Sequence, residues 1–151
     1  AGTYGLAATE AASMHLVQLI YHSRPFGFDA SALDDILGVA RKHNRRRGVT
    51  GALLCRSDLY LQMLEGTREA VTRTFGRILD DERHSDVVLV TVHDIDERLF
   101  RDWDMRDDLP RPWMWSREQV AAGALRDADA AAFRAVFERL AREPRQAPQF
   151  A

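Results

Sequence analysis

Strict alternation marks the first ordered element of this 151-residue chain. In LVQLIYHS (16–23), Val17, Leu19 and Tyr21 fall on one side and Gln18 and His22 on the other, the period of a strand with Tyr21 turned to the core. Pro25 and Gly27 break the run, and Ser31 is placed to cap the segment that follows. There the period changes. Leu33, Ile36, Leu37 and Ala40 recur at helical spacing, and His43 and Asn44 continue the stripe with polar groups. Arg45, Arg46 and Arg47 come next, and Gly48 ends the helix. VTGALLC (49–55) and LYLQML (59–64) are strand-like runs, and the Arg56-Ser57-Asp58 turn between them predicts a hairpin. Thr67 then caps a second helix with Val71, Phe75, Ile78 and Leu79 facing inward, which runs out near Asp81 and leaves Arg83 and His84 in a loop. DVVLVTV (86–92) is rich in β-branched residues and predicts a buried fourth strand. Leu99, Phe100, Trp103 and Met105 approach a fifth, with Trp103 and Met105 on one face.

This order contains the β-α-β-β-α-β succession of the ferredoxin-like plan. The expected fold is α+β, βαββαββ, with a five-stranded sheet and both helices on one face. Beyond Pro110 and Pro112 the pattern shifts again. Trp113, Met114 and Trp115 cluster, and Ser116 with Gln119 has the spacing of a capping box, so a short helix is expected to about Leu125. A second starts near Asp129, carries Phe133, Val136, Phe137 and Leu140 on one side, and stops at Pro144. This helix pair needs an apolar surface, and the free face of the sheet supplies one. The expected division is a flexible leader or expression remnant over 1–13, with Met14 the natural start, a main domain over 14–109, and a helical extension over 110–151.

Composition narrows the function. At 46% hydrophobic residues the chain can bury a core without staples, and its single cysteine, Cys55, permits no intramolecular disulfide and fits a reducing cytoplasm. With 21 basic and 23 acidic residues, bulk charge draws in neither nucleic acid nor a membrane. No apolar run has the length of a bilayer span. The five histidines show no metal-ligand spacing, and no P-loop, GxGxxG or GxSxG is present.

Four polar residues stand at positions where the pattern is apolar. Tyr21 is either a packed ring with a bonded hydroxyl or a phenol placed to give an electron and a proton to a chromophore. Gln62, amid LYLQML, is either on a wet edge or a buried amide bridging two polar groups, able to switch by exchanging donor and acceptor. His43 and Asn44 are either a helix end in solvent or a recognition point beside an apolar pocket. A carboxamide there suits the amide edge of a heterocycle. The arginine run 45–47 and the pair Arg83–His84 are either solvated or phosphate-facing.

Six separated segments, taken in order, resemble the BLUF family, sensors of blue light using FAD. They are LIYHS with Tyr21, HN with Asn44, VTGALL, YLQMLEG with Gln62, DDERH with Arg83 and His84, and FRDWDM with Trp103 and Met105. The resemblance covers about Leu16 to Met105. It implies FAD between the two helices, with Asn44 on the pyrimidine edge, His43 near the ring, and Ile36, Leu37 and Ile78 lining the slot. Arg83 and His84 match positions near the phosphates, and Arg77 and the arginine run are further candidates. It also implies reversible proton-coupled electron transfer from Tyr21 through Gln62, which ends rotated or tautomeric and red-shifts the flavin. Trp103 and Met105 would relay that change to the C-terminal helices and on to a protein partner, or into an altered self-assembly. A cytoplasmic, non-enzymatic photoreceptor is expected, with neither membrane nor nucleic acid as partner. Many relatives carry a small polar residue where this chain has Ala40. Two rivals are an acylphosphatase-like hydrolase on the same plan and an interaction module using Arg45–Arg47. Both would be colourless.

Overall fold

The computed structural model describes residues 15–25 and 30–146. The leader expected over 1–13 and the break at Gly27 lie outside the described residues. Strand β1 (Leu16–Pro25) is followed by helix α1 (Ala30–Arg47), the hairpin β2 (Thr50–Arg56) and β3 (Leu59–Thr67), helix α2 (Arg68–Leu79) and strand β4 (His84–Ile95). Strand β5 (Arg106–Asp108) precedes helices α3 (Arg117–Ala121), α4 (Ala124–Asp127) and α5 (Ala130–Ala141). The five strands lie in the order β4-β1-β3-β2-β5, antiparallel except for the parallel β2–β5 pair.

Both sheet faces are covered. On one, Leu19, Tyr21, Leu53 and Leu64 pack with Leu33 and Leu37 of α1, Val71 of α2, and Met105. On the other, Ile20, Leu54, Leu61 and Met63 pack against Phe133, Phe137 and Leu140 of α5. The alternation along β1 and β3 sends successive side chains to opposite cores. Helix α1 stops at Gly48, whose φ of +69° suits glycine, and Val49 N–H returns to the Asn44 carbonyl at 2.9 Å. Thr67 caps α2 by accepting from Ala70 N–H. Among the described residues no helix is long and apolar enough to cross a membrane.

Several expectations need correction. Ser31 lies inside α1, which already starts at Ala30, so it is not the cap. The fifth strand begins only at Arg106, after Trp103 and Met105, which occupy the turn before it. A local bond from Trp103 N–H to the Phe100 carbonyl (3.2 Å) bends the chain, and pairing with β2 starts at Ala52↔Arg106. Trp103 and Met105 therefore do not share a strand face: Trp103 is 37% exposed and Met105 1%. Strand β4 is an edge strand rather than a buried one, with Val88, Leu89 and Val92 outward. Leu79, at the end of α2, is exposed as well. The C-terminal helix pair is three helices, because Gly123 turns the chain at φ +91° between α3 and α4. The capping box of Ser116 with Gln119 and the Asp129 cap of α5 are present.

The segment between β4 and β5 is anchored by one buried carboxylate. Glu65 of β3 accepts from Leu99 N–H (2.8 Å), Phe100 N–H (2.8 Å) and Gln18 Nε2 (3.0 Å). Arg98 adds a bond to the Glu65 carbonyl and one to Thr50 Oγ1.

Candidate functional site

A cleft opens between α1 and α2 above β2 and β3, lined by Ile36, Leu37, Asn44, Gln62, Arg77, Ile78 and Met105 among others. Tyr21 of β1 pairs in register with Gln62 of β3, so two central strands bring the phenol and the amide together. Tyr21 is fully buried and Gln62 nearly so. The Tyr21 hydroxyl donates to Gln62 Oε1, and Gln62 Nε2 donates to Met105 Sδ at 3.1 Å. A thioether only accepts, so the sulfur fixes the amide: nitrogen toward Met105, oxygen toward the phenol. Burial, with smaller effects from Tyr60 and Asp81, raises the Tyr21 pKa well above the ordinary phenol value. Phe75 of α2 lies against the Tyr21 ring, centroids 5.4 Å apart.

Asn44 is buried in the last turn of α1. Its Nδ2 donates to the Asp104 carbonyl at 2.8 Å, while Oδ1 is buried and has no partner among the described residues. Among the described residues, Nη1 of Arg77, on the facing helix, is likewise buried and unbonded, as is Nη1 of Arg47. Burial and the neighbouring Arg47 charge both lower the Arg77 pKa. Unpaired buried polar atoms are costly, and an acceptor beside donors calls for a ligand carrying donor and acceptor edges and anionic oxygens. An isoalloxazine with a phosphate tail has both, and the apolar walls from Ile36, Leu37 and Ile78 suit its ring. The residues present fit FAD.

The remaining candidates take different positions. His84 lines the cleft, with its Nδ1 2.8 Å from Ser23 Oγ and its ring 4.9 Å from that of Tyr60. Burial lowers its pKa, against a smaller opposing effect of Asp81. Arg83 lines the cleft but is gripped by Asp81 through two bonds of 2.9 and 2.8 Å. His43 is half-buried outside the lining residues, and its pKa is lowered by desolvation first and then by Arg77 and other cations. Arg45 pairs with Asp104 at 3.1 Å on the surface. Trp103 is turned outward with the Arg106 guanidinium 5.8 Å from its ring. Thr74, Asp81 and Leu53 also line the cleft and were not foreseen. Thr74 sits one turn from Val71 and Ile78 on the same helix face, a spacing that could have revealed it.

From the cleft a polar chain runs outward. The Met105 carbonyl accepts from Arg41 Nε (3.2 Å) and Nη2 (3.0 Å), and Arg41 Nη2 also reaches Asp107 Oδ1 at 2.7 Å. The same Oδ1 takes Arg145 Nη2 at 2.7 Å. Next to it, Asp108 holds Arg106 (2.8 Å) and Arg111 (2.7 Å), all three buried, and Arg111 continues to Glu143 at 3.1 Å.

Comparison with known proteins gives concordant results. The family model described as BLUF, sensors of blue light using FAD, matches residues 16–106. The photoactivated adenylate cyclase subunit alpha of Euglena gracilis is 39% identical over 87 residues, which is 56% of this chain and 8% of that protein. The chain thus spans a small part of the curated relatives it matches. The structure of BlsA in its ground state superposes with a TM-score of 0.75 at 26% identity, covering 87% of this chain and 91% of that one. BlrB, a BLUF protein in its dark state, gives 0.70 at 28% identity, covering 86% and 98%.

Proposed function

The chain belongs to the BLUF family of blue-light sensors that use FAD, and from that premise we propose how its own residues convert light into a signal. FAD, when bound, supplies a chromophore whose excited state is a strong oxidant. Asn44 would hold the pyrimidine edge of the ring through Oδ1, and Arg77 and Arg47 would offer N–H groups to its anionic oxygens. Arg83 and His84 also line the cleft and would face the phosphates of the bound cofactor.

Tyr21 is the electron donor. Its phenol stays protonated because burial disfavours the anion, and its proton already lies in a hydrogen bond to Gln62. Oxidised phenol is strongly acidic, so the proton follows the electron along that bond into the carboxamide. Return of both leaves Gln62 rearranged. Rotation carries the NH2 donor from Met105 to Tyr21 and turns an oxygen lone pair to the sulfur. Tautomerisation makes Oε1 a donor to the phenol. Either form reverses the sense of the Tyr21–Gln62 bond and changes the donors the amide offers to a flavin carbonyl, the source of a red-shifted absorption.

Met105 carries the change onward. Rotation removes its only bond to Gln62, and its carbonyl is tied through Arg41 and Asp107 to Arg145 beyond α5. Trp103, two residues before it, moves with the same turn. The signal then passes by contact to a protein partner or by a change of self-assembly, with no catalysis by the domain itself. Adenylate cyclase activity is named for the Euglena relative, most of which lies outside the matched region.

The observation that carries this reading is the Tyr21–Gln62–Met105 line of hydrogen bonds on a cleft that also holds the unpaired Asn44 oxygen. Absorption spectra before and after blue light test it. The purified protein should be yellow and shift reversibly to the red, and Tyr21→Phe should keep the flavin and lose the shift. A colourless protein, or an intact shift in Tyr21→Phe, refutes it.

A further inference from the structure

Helix α5 covers most of the sheet face opposite the flavin cleft but leaves the β1–β4 margin open. There β1, β4 and helices α3 to α5 enclose a groove of about 440 Å³. Its floor is aromatic: the His22 imidazole lies parallel to the Phe133 ring, 5.9 Å away at 6°. Val88 and Leu89 of the outer wall remain 46% and 49% exposed, apolar surface set in a concavity. Covering such surface stabilises a bound molecule in proportion to its apolar area.

The mouth is cationic. Arg24 and Arg126 line it, and an adjoining notch adds Arg117. Of the two carboxylates lining it among the described residues, Asp58 is engaged by Arg56 at 2.5 Å and by Arg117 at 3.7 Å, and Asp86 forms a loose, exposed pair with Arg24 at 3.7 Å. Among the described residues the Arg126 guanidinium has no hydrogen bond or ion pair, and the turn at Gly123 brings its Nη2 to 3.5 Å from where a Cβ at 123 would stand.

We infer that this groove binds an amphipathic carboxylate, a fatty acid being the simplest, with its apolar body on the His22–Phe133 floor and its head between Arg24 and Arg126. A planar guanidinium matches a carboxylate in two parallel bonds, and a neutral head leaves that match unused. The groove also touches the other face. Ser23, which lines it, bonds His84 Nδ1 at 2.8 Å, and His84 lines the cleft. Occupancy therefore acts on the lit-state lifetime through one hydrogen bond. This last step rests on the flavin reading above; the binding itself does not.

Calorimetric titration of the flavin-loaded chain with decanoate tests the site. One saturable site is expected, about tenfold weaker in Arg126→Ala and weaker again with Arg24→Ala added, a factor set by charge-assisted bonds. Leu125→Trp, which fills the groove, should abolish binding. Decanol should bind about tenfold more weakly than decanoate, and inorganic phosphate should not compete. Absent saturable binding, or binding indifferent to both arginines, overturns the site. Phosphate binding as tight as decanoate overturns the apolar part. Saturating decanoate should change the dark-recovery rate about fivefold in the parent chain and not in Ser23→Ala. An unchanged rate in the parent overturns the coupling. Calorimetry needs no light response, so a failed flavin reading leaves the binding result standing.

Discussion

Asn44 carries a buried amide oxygen with no partner among the described residues. Its Nδ2 is tied to the Asp104 carbonyl, so the amide cannot turn to satisfy Oδ1, and that oxygen is buried. Asn44→Ala should therefore loosen the flavin by about 2 kcal/mol, roughly thirtyfold, read as cofactor lost on gel filtration. Gln62→Leu should retain the flavin and lose the red shift, since leucine can neither take the Tyr21 proton nor bond Met105. Titration offers a separate check. Burial lowers the pKa of both His22 and His84, so the folded state holds them neutral while the unfolded chain protonates them below about 6.5. Stability from these groups is full above that value and is lost as pH falls through the folded pKa values. The urea midpoint should drop between about pH 7.5 and 5.5, and a flat midpoint would contradict the assignment. At this scale the sequence was informative where a polar residue broke an apolar pattern, as at Gln62 and Asn44. It marked Arg83 as a candidate but was silent on its pairing with Asp81, which depends on loop geometry.

Among the elements, those with strong periodicity were legible and those held by distant partners were not. The period of β1, the hairpin turn at 56–58 and the Thr67 cap are local, and all appear as expected. Strand β4 was misjudged because β-branched content reports strand formation and not position in the sheet. Its place at the edge follows from the β1 pairing on one side alone. Strand β5 was misplaced because its start is set by parallel pairing with β2 and by the turn at 100–103. That turn depends on Glu65. Glu65→Ala would strand Leu99 N–H, Phe100 N–H and the Gln18 amide in a buried site. The cost should be about 3 kcal/mol in urea denaturation, and Met105 should loosen with it. A loss within experimental error would show that the loop is held by other contacts.

In the whole molecule, Asp107 stands between the photochemical site and the C-terminal residues. Its Oδ1 serves both Arg41 and Arg145, and Arg41 also binds the carbonyl of Met105. Asp107→Asn should leave the red shift intact while amides after Leu140 exchange about tenfold faster in the dark, measured by hydrogen exchange. Unaltered exchange would remove the clasp from the signal path. By itself the sequence determined the α+β order, which faces of β1 and β3 are apolar, and the cover offered by α5, because these depend on periodicity within a few turns or residues. The three-dimensional packing decided that Met105 turns inward and Trp103 outward, that β4 lies at an edge, and that two arginines distant in sequence share one aspartate. Those outcomes depend on which groups remain to satisfy a buried donor, acceptor or charge once the chain has closed on itself, and no local pattern records that.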